Sequence, residues 1–397
     1  MYLSCFSPKS YAYLYISMGL LSPACAAVQL DGNHSFDTIH DALRTVPHGK
    51  HTVTLSNDIQ QEASYANLSN CSSLTVKGKP SGGTTIKPSL SASMGLFNHP
   101  CSHAMSLTLS DVTIKGFNTC SYILGGAITA DALTLIGNGS VTFKNNRTTA
   151  GNGGGILACS LDLTDVHFTE NKSTYSGGAI YVCGPFTYTT NSLTRFDPSV
   201  FPPKLGDNDI ACLSILSMRT YFTKNGQGSL VLNTNNSEWT GNAFIQEGAF
   251  IIGETETNTH AIWGSLVGNL TVQRGATVGG FGTIKADSLI FEAGSIWRLF
   301  FSSDKAGNLN VWDTLTLPTG VEVNENSLAH IVPADGFIIA TYRRLSGDLA
   351  PLNAQLAIYG LFLENQITSP SKGSLVLKKP PVYNIAVVQK SGGSRRE

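Results

Sequence analysis

The sequence predicts an all-β protein, built as a single right-handed parallel β-helix with a short N-terminal helical cap. Three observations favour this fold: recurring Gly-Gly pairs, Phe-x-x-Asn tetrapeptides that alternate with them, and short runs of alternating apolar residues in between. Runs this short suit strands, whose successive side chains point to opposite faces. A single unit cannot bury its apolar side alone, so we expect successive units to stack.

The glycine pairs predict one corner of the coil. They begin at Gly125, Gly153 and Gly177, so the steps are 28 (153 − 125) and 24 (177 − 153) residues. Glycine reaches φ > 0 without steric cost and lets backbones approach closely, as a corner repeated in every turn requires. The corner residues are Gly125, Gly126, Ala127 and Ile128, then Gly153 and Gly154, then Gly177, Gly178, Ala179 and Ile180.

The Phe-x-x-Asn tetrapeptides predict a second corner. They are Phe143 with Asn146, Phe168 with Asn171, and Phe222 with Asn225. We expect the phenylalanines to stack inside the coil. The asparagines suit turns because Asn tolerates the left-handed region and can form hydrogen bonds along the stack. All these residues indicate a fold more than an activity.

The ends of the chain predict three further segments. Residues 1–26 are typical of a signal peptide, with an apolar run at 11–21 and small residues before a cut at Ala27; a buried strand or a short membrane anchor is the alternative. Residues 27–60 form the N-terminal cap, whose helix over 38–46 has Ile39, Ala42 and Leu43 on one side. The β-helix occupies 61–325, and 326–397 form its C-terminal end.

Residues 185–219 interrupt the repeat and predict a protruding loop. This stretch holds Pro198, Pro202 and Pro203 close to several aromatic residues. Long loops are where binding residues concentrate. The candidate partner contacts are Phe186, Tyr188, Phe196 and Phe201; the alternative is a bulky insertion without a binding role.

The cysteines predict disulfides. Six remain after the signal peptide, and an even number in an exported chain indicates pairing. Cys159 and Cys183 each lie six residues after a glycine pair (159 − 153 and 183 − 177), which places them side by side in neighbouring turns, within disulfide reach. Pairing of Cys183 with Cys212, or free buried thiols, are the alternatives.

Composition and motifs argue against several function classes. The net charge is −1, only 13% of residues are charged, and no basic stripe indicates nucleic-acid binding. No catalytic, cofactor or metal motif is present, so we expect no enzyme, cofactor or metal site. A polysaccharide-acting β-helix would need clustered carboxylates. Asp111 and Asp165 occupy equivalent repeat positions, but we expect them to accept hydrogen bonds from turn amides.

The alternation of GGAI with FxxN over residues 125–225 resembles the polymorphic outer membrane proteins of chlamydiae, a family of autotransporters. The resemblance implies a pectin-lyase-like solenoid that is exported as a passenger, displayed at the cell surface or outer membrane or secreted, and used in adhesion and virulence. The implied partner is a host-cell receptor or glycan, with self-association a further option. Residues 326–397 then end the passenger without a translocator barrel, which leaves the anchoring open. A polysaccharide lyase or glycosidase, or a structural stalk that binds nothing, are the alternatives.

Overall fold

The computed structural model describes residues 28–32, 34–69, 71–89, 94–121, 124–198, 206–207, 209–212, 220–324, 327 and 332–380. The predicted signal peptide, Phe201 and the side chain of Cys101 lie outside the described residues.

The chain winds into a parallel β-helix, as predicted, because strands from successive turns pair in parallel along three faces. Face 1 consists of Ala66–Asn67, the first parts of Phe97–Lys115, Ile128–Lys144 and Ile156–Thr164, then Ile180–Val182, Ile210–Ala211, Asn235–Asn236, Ile262–Trp263, Thr283–Ala286, Asn308–Val311 and Phe337–Tyr342. The short strands Asn118–Thr119 and Arg147–Thr148 pair at the corner that precedes face 1.

Face 2 follows face 1 in each turn, and face 3 follows face 2. Face 2 consists of Gly49–Leu55, Cys71–Lys77, the middle parts of the two long strands, the end of Ile156–Thr164, then Phe186–Thr189, Tyr221–Asn225, Asn242–Ile245, Leu270–Val272, Leu289–Phe291, Thr314–Thr316 and Arg344–Ser346. Face 3 consists of Ile59–Glu62, Thr84–Pro88, the ends of the two long strands, then His167–Thr169, Thr194–Asp197, Ser229–Leu232, Ala249–Ile252, Thr277–Gly280, Ile296–Leu299 and Gly320–Val323.

The core lies inside the coil and consists of columns of equivalent residues from successive turns. On face 2, for example, Leu133, Leu161, Phe186 and Phe222 follow one another in register, and all four are buried. Each such side chain contributes roughly 1.5–3 kcal/mol through its removal from water. The alternation in the sequence therefore sets which residues face inward.

A short helix, Ile39–Arg44, caps the N-terminal end, as predicted, although it is shorter than 38–46. The Thr38 side chain accepts a hydrogen bond from the Asp41 amide, and Ile39, Ala42 and Leu43 are buried. Val28–Leu30 pairs antiparallel with His34–Phe36 and with Gly49–Leu55. The predicted boundary at residue 61 is wrong, because Gly49–Leu55 and Ile59–Glu62 already pair in parallel with strands of the next turn.

The C-terminal end differs from the prediction in its extent. Parallel pairing continues past 325 to Phe337–Tyr342 and Arg344–Ser346. A helix, Ala350–Leu356, a 3₁₀ turn, Ala357–Tyr359, and the hairpin Phe362–Ser369 with Lys372–Lys378 follow. The second hairpin strand pairs antiparallel with Phe337–Tyr342 and closes that sheet edge. A further 3₁₀ turn spans Glu256–Asn258. Among the described residues, no helix has the length and apolar character needed to cross a bilayer.

The protruding loop predicted for 185–219 is wrong where the structure describes this stretch. Phe186–Thr189 and Thr194–Asp197 are strands of faces 2 and 3, and Ile210–Ala211 returns to face 1. Phe186, Tyr188 and Phe196 are completely buried, so they are core residues and not partner contacts. The alternation of Phe186-Thr-Tyr188-Thr is a strand pattern, and burying three large rings outweighs any loop preference of the nearby prolines.

Candidate functional site

The glycine pairs form the corner before face 1, and the two glycines of a pair have different tasks. Gly153 and Gly177 have φ of 72° and 67°, in the left-handed region. The Gly126 amide donates to the Gly153 oxygen (2.8 Å), and the Gly154 amide donates to the Gly177 oxygen (3.0 Å). A Cβ on Gly154 would lie 2.3 Å from the Gly178 oxygen. In these two pairs the first glycine therefore supplies the backbone conformation, and the second permits close stacking. Gly125, the first glycine of the earliest pair, does not have a positive φ.

Asp209 ends the series of hydrogen bonds between the glycine pairs of successive turns. The sequence analysis missed this residue. Its carboxylate accepts hydrogen bonds from the Gly178 amide (2.6 Å) and the Gly177 amide (3.2 Å). Its backbone oxygen accepts from Ala179 (3.0 Å), so the carboxylate takes the place of the carbonyl groups of a next glycine pair. Burial raises the pKa of the Asp209 carboxyl to about 7. The sequence signal is an acidic residue 32 positions after Gly177 (209 − 177), where another pair is due.

The asparagines of the first two FxxN tetrapeptides form a buried ladder at the corner after face 3. Asn171 Oδ1 accepts hydrogen bonds from the Asn146 amide and from Asn146 Nδ2, both at 3.0 Å. Asn146 Nδ2 also donates to the Ile114 oxygen (3.0 Å), and Asn171 Nδ2 donates to the Phe143 oxygen (2.9 Å). Both side chains are completely buried, so these hydrogen bonds replace the bonds to water that the two amides lose on burial.

The third FxxN tetrapeptide is not equivalent to the first two, which corrects the prediction. The rings of Phe143, Phe168 and Phe196 stack on face 3, with successive centroids 5.1 Å apart. Phe222 lies on face 2 opposite Phe186, and Asn225 lies opposite Thr189. A Phe-x-x-Asn tetrapeptide at a suitable spacing can thus lie on another face, because the turns of this coil differ in length.

Asp111 and Asp165 act in turns, as expected. Both have positive φ (52° and 49°) and lie between faces 2 and 3. Asp165 accepts hydrogen bonds from the Asn191 amide and side chain, each at 2.8 Å, and Asp111 accepts from the Ser140 amide (3.3 Å). Among the described residues, no three His, Cys, Asp or Glu side chains come together as a metal site would require.

Cys159 and Cys183 lie side by side on neighbouring turns, because Ala158 and Val182 are register partners and the Cys183 amide donates to the Ala158 oxygen (3.0 Å). Both are free thiols here, as are the other cysteines among the described side chains. Partial burial and the adjacent Cys159 raise the pKa of the Cys183 thiol to about 11; Cys212 interacts with it as well. A disulfide from Cys183 to Cys159, or to Cys212, stays a prediction for the oxidised protein.

A groove lies on the outer side of face 1 near the C-terminal end, and the sequence analysis missed it. It has a volume of about 780 Å³. We call it the Trp312 groove; it is lined by Leu266, Asn308, Asn310, Val311, Trp312, Thr341, Tyr342, Arg343, Ser369, Ser371 and Lys372. Trp312 is 64% exposed, whereas Trp239, Trp263 and Trp297 are buried. Its residues come from the loop at Leu266, from two strands of face 1 and the bends that follow them, and from the hairpin turn at 369–372, so no short sequence motif marks it.

Backbone hydrogen bonds to neighbouring turns hold the chain segments that line the Trp312 groove. The Trp312 amide donates to the Ala286 oxygen (2.9 Å), and the Arg343 amide donates to the Asp313 oxygen (3.0 Å). The Asp313 carboxylate forms an ion pair with Arg344, which lowers the pKa of Asp313. The bend directly after the strand Asn308–Val311 thus presents the indole ring to solvent.

A coil of stacked turns with glycine and asparagine corners is a parallel β-helix. Residues 140–159 and 165–183 match the Chlamydia polymorphic membrane protein repeat, so the chain carries the repeat of this family. The two matches cover the FxxN and glycine corners of two consecutive turns and leave out Phe222, in agreement with its place on face 2. The repeat supports a chlamydial outer-membrane protein of the autotransporter type. Comparison with curated proteins finds no match.

Proposed function

We propose that the chain is an exported passenger, displayed at the chlamydial surface or released from it, that adheres to host cells. The observation that carries the proposal is the polymorphic membrane protein repeat at 140–159 and 165–183 within one continuous coil. This repeat belongs to a family of surface proteins. A rod of stacked turns also suits display, because it offers a long outer surface that its own folding does not use.

The burial of the motif residues indicates that, in this proposed function, they maintain the fold while other residues contact the partner. Asn146, Asn171, Phe143 and Phe168 are buried, so they hold the coil together and are not available to a partner. Partner contacts therefore come from side chains that point outward. Among the described residues, Trp312 in its groove is the exposed tryptophan, and tryptophan is enriched among residues that dominate binding energy.

Binding of the labelled exported chain to cultured epithelial cells, measured by flow cytometry, tests the proposal. We expect saturable binding that an excess of unlabelled chain displaces. Circular dichroism and melting temperature confirm that the chain used is folded. A folded chain that binds no more than a heat-denatured sample would contradict adhesion and favour the stalk, and release of new sugar ends from polysaccharide would favour the enzyme.

A further inference from the structure

We propose that the Trp312 groove binds an acidic saccharide. This inference rests on the proposed function and names the ligand class for it. The groove combines an exposed aromatic ring, short polar side chains and cationic groups on one concave surface. Each of these parts corresponds to a different part of an acidic sugar.

The indole ring of Trp312 suits the apolar face of a pyranose ring. A sugar ring carries C–H groups on its faces and hydroxyl groups at its edges, so it stacks on a flat aromatic surface while its edges stay polar. Trp312 is 64% exposed, and its backbone amide donates a hydrogen bond to the Ala286 oxygen. A tryptophan side chain has only two rotatable bonds, so it loses little conformational entropy when a ligand covers it.

The polar lining suits the hydroxyl edges. Asn308, Asn310 and Thr341 stand in register on neighbouring strands of face 1, and Ser369 and Ser371 belong to the hairpin turn opposite. Thr341 Oγ1 donates to Asn310 Oδ1 at 3.4 Å, which orients the Asn310 amide and leaves its two N–H donors for a ligand. Polar groups placed beside an aromatic surface can fix the orientation of a bound small ligand.

The charges of the groove select an acidic ligand. Its charged lining residues are Arg343 and Lys372, and both are cationic and exposed. The neighbouring carboxylate, Asp313, forms an ion pair with Arg344 and also interacts electrostatically with Arg343. A planar guanidinium can bind a carboxylate or sulfate through two parallel hydrogen bonds. A uronate, sialate or sulfated sugar therefore complements the site in charge as well as in shape.

The size of the groove favours a saccharide over a folded protein partner or a membrane. About 780 Å³ lies within the range of sites that enclose small ligands. A stable protein interface usually covers a broader and flatter area. Val267, Ile358 and Ile367, at 74%, 79% and 76% exposure, are exposed aliphatic residues that a membrane surface would use instead, so anionic vesicles serve as the competing probe.

Titration calorimetry with the full exported chain tests the site. The probes are a sulfated, uronate-containing hexasaccharide, neutral maltohexaose, and phosphatidylserine-containing vesicles. We expect binding of the acidic hexasaccharide only, weakened at higher ionic strength. Trp312→Ala is expected to weaken binding at least about tenfold, and Arg343→Gln and Lys372→Gln several-fold each. Tyr175→Ala, at an exposed tyrosine elsewhere, and Lys115→Gln, on face 3, are the matched controls and should bind as the unaltered chain does.

The outcomes separate this inference from the proposed function. Equal affinity for the neutral sugar, vesicle binding without saccharide binding, or full affinity in a folded Trp312→Ala variant would each overturn the saccharide site. Cell adhesion that persists in Trp312→Ala and resists competition by the hexasaccharide would leave adhesion standing and the groove excluded. Loss of adhesion together with loss of saccharide binding in that variant is the expected result.

Discussion

The turns that carry the repeat motif, within 124–198, and the turns that follow, within 220–324, build the same coil by different means. In the first region buried polar ladders close the corners, with Asn146 bonded to Asn171. In the second region a cluster of aromatic rings fills the core. Trp239 stacks on Trp263 with centroids 5.6 Å apart, and Phe222 and Phe250 each lie 5.0 Å from Trp263.

This difference teaches that the motif marks one way of closing a corner and does not mark the extent of the β-helix. Parallel pairing between successive turns continues from the motif turns to Arg344–Ser346. A corner needs its backbone groups satisfied, and a core needs its volume filled. In the later turns the larger rings of Trp239 and Trp263 fill the core, and buried Asn236 accepts a hydrogen bond from the Ile210 amide and donates one to the Ile262 oxygen.

The largest expected effect is in the aromatic region. Trp263→Ala should lower the free energy of unfolding by about 3–5 kcal/mol, because it leaves a cavity among Phe222, Trp239 and Phe250. Denaturant titration followed by circular dichroism measures it. Trp312→Ala, which removes an exposed ring, is the matched control and should change the value by less than about 0.5 kcal/mol. Equal losses in the two variants would remove the distinction between core and groove tryptophans.

The next effect tests the asparagine ladder. Asn171→Ala should cost about 2–4 kcal/mol, because it leaves buried donors of Asn146 and the Phe143 oxygen without their bonds. Asn225→Ala changes the same motif position in the tetrapeptide that lies on face 2, and it should cost less than about 1 kcal/mol. Urea midpoints of the two variants provide the comparison. A larger loss for Asn225→Ala would mean that the motif, and not its place in the fold, sets the stability.

Two glycine substitutions, one in each region, distinguish the effect of close stacking from the effect of backbone conformation. Gly154→Ala should cost about 1–3 kcal/mol, because its Cβ would lie 2.3 Å from the oxygens of Gly178 and Lys172. Gly275→Ala, in the later region, has φ of +80° and open space around the new Cβ, so only conformational strain of about 1 kcal/mol applies. Thermal unfolding measures both. If Gly275→Ala is the more damaging, the close-stacking explanation is wrong.

The smallest effect concerns pH and Asp209. The folded pKa of Asp209, about 7, lies above its ordinary value of 3.8, so its contribution to stability is complete below pH 3.8 and is lost as the pH rises through 7. Between pH 6 and pH 8 the protein should lose about 1 kcal/mol from this group. Denaturant titrations at both pH values, compared with Asp209→Asn, isolate the contribution. An identical pH dependence in the variant would show that Asp209 does not titrate in this range.

The sequence by itself determined the coil, its glycine and asparagine corners and the N-terminal helix. These features are local: alternation sets which side chains face inward, and glycine, Asn and Thr38 have conformational preferences that act within a few residues. The inward stacking of Phe143 on Phe168 followed from their equal places in the repeat.

Only the tertiary structure decided which face each strand occupies and what the faces bring together. Because the turns vary in length, spacing alone could not tell that Phe222 belongs to face 2, that Phe186, Tyr188 and Phe196 belong to the core, or that Asp209 replaces a glycine pair. The Trp312 groove joins residues from 266 to 372, and their proximity depends on the stacking of turns and on the antiparallel hairpin at the end of the sheet. A surface made of side chains so far apart in the chain exists only once the turns have stacked, since its residues come from three turns and the C-terminal hairpin.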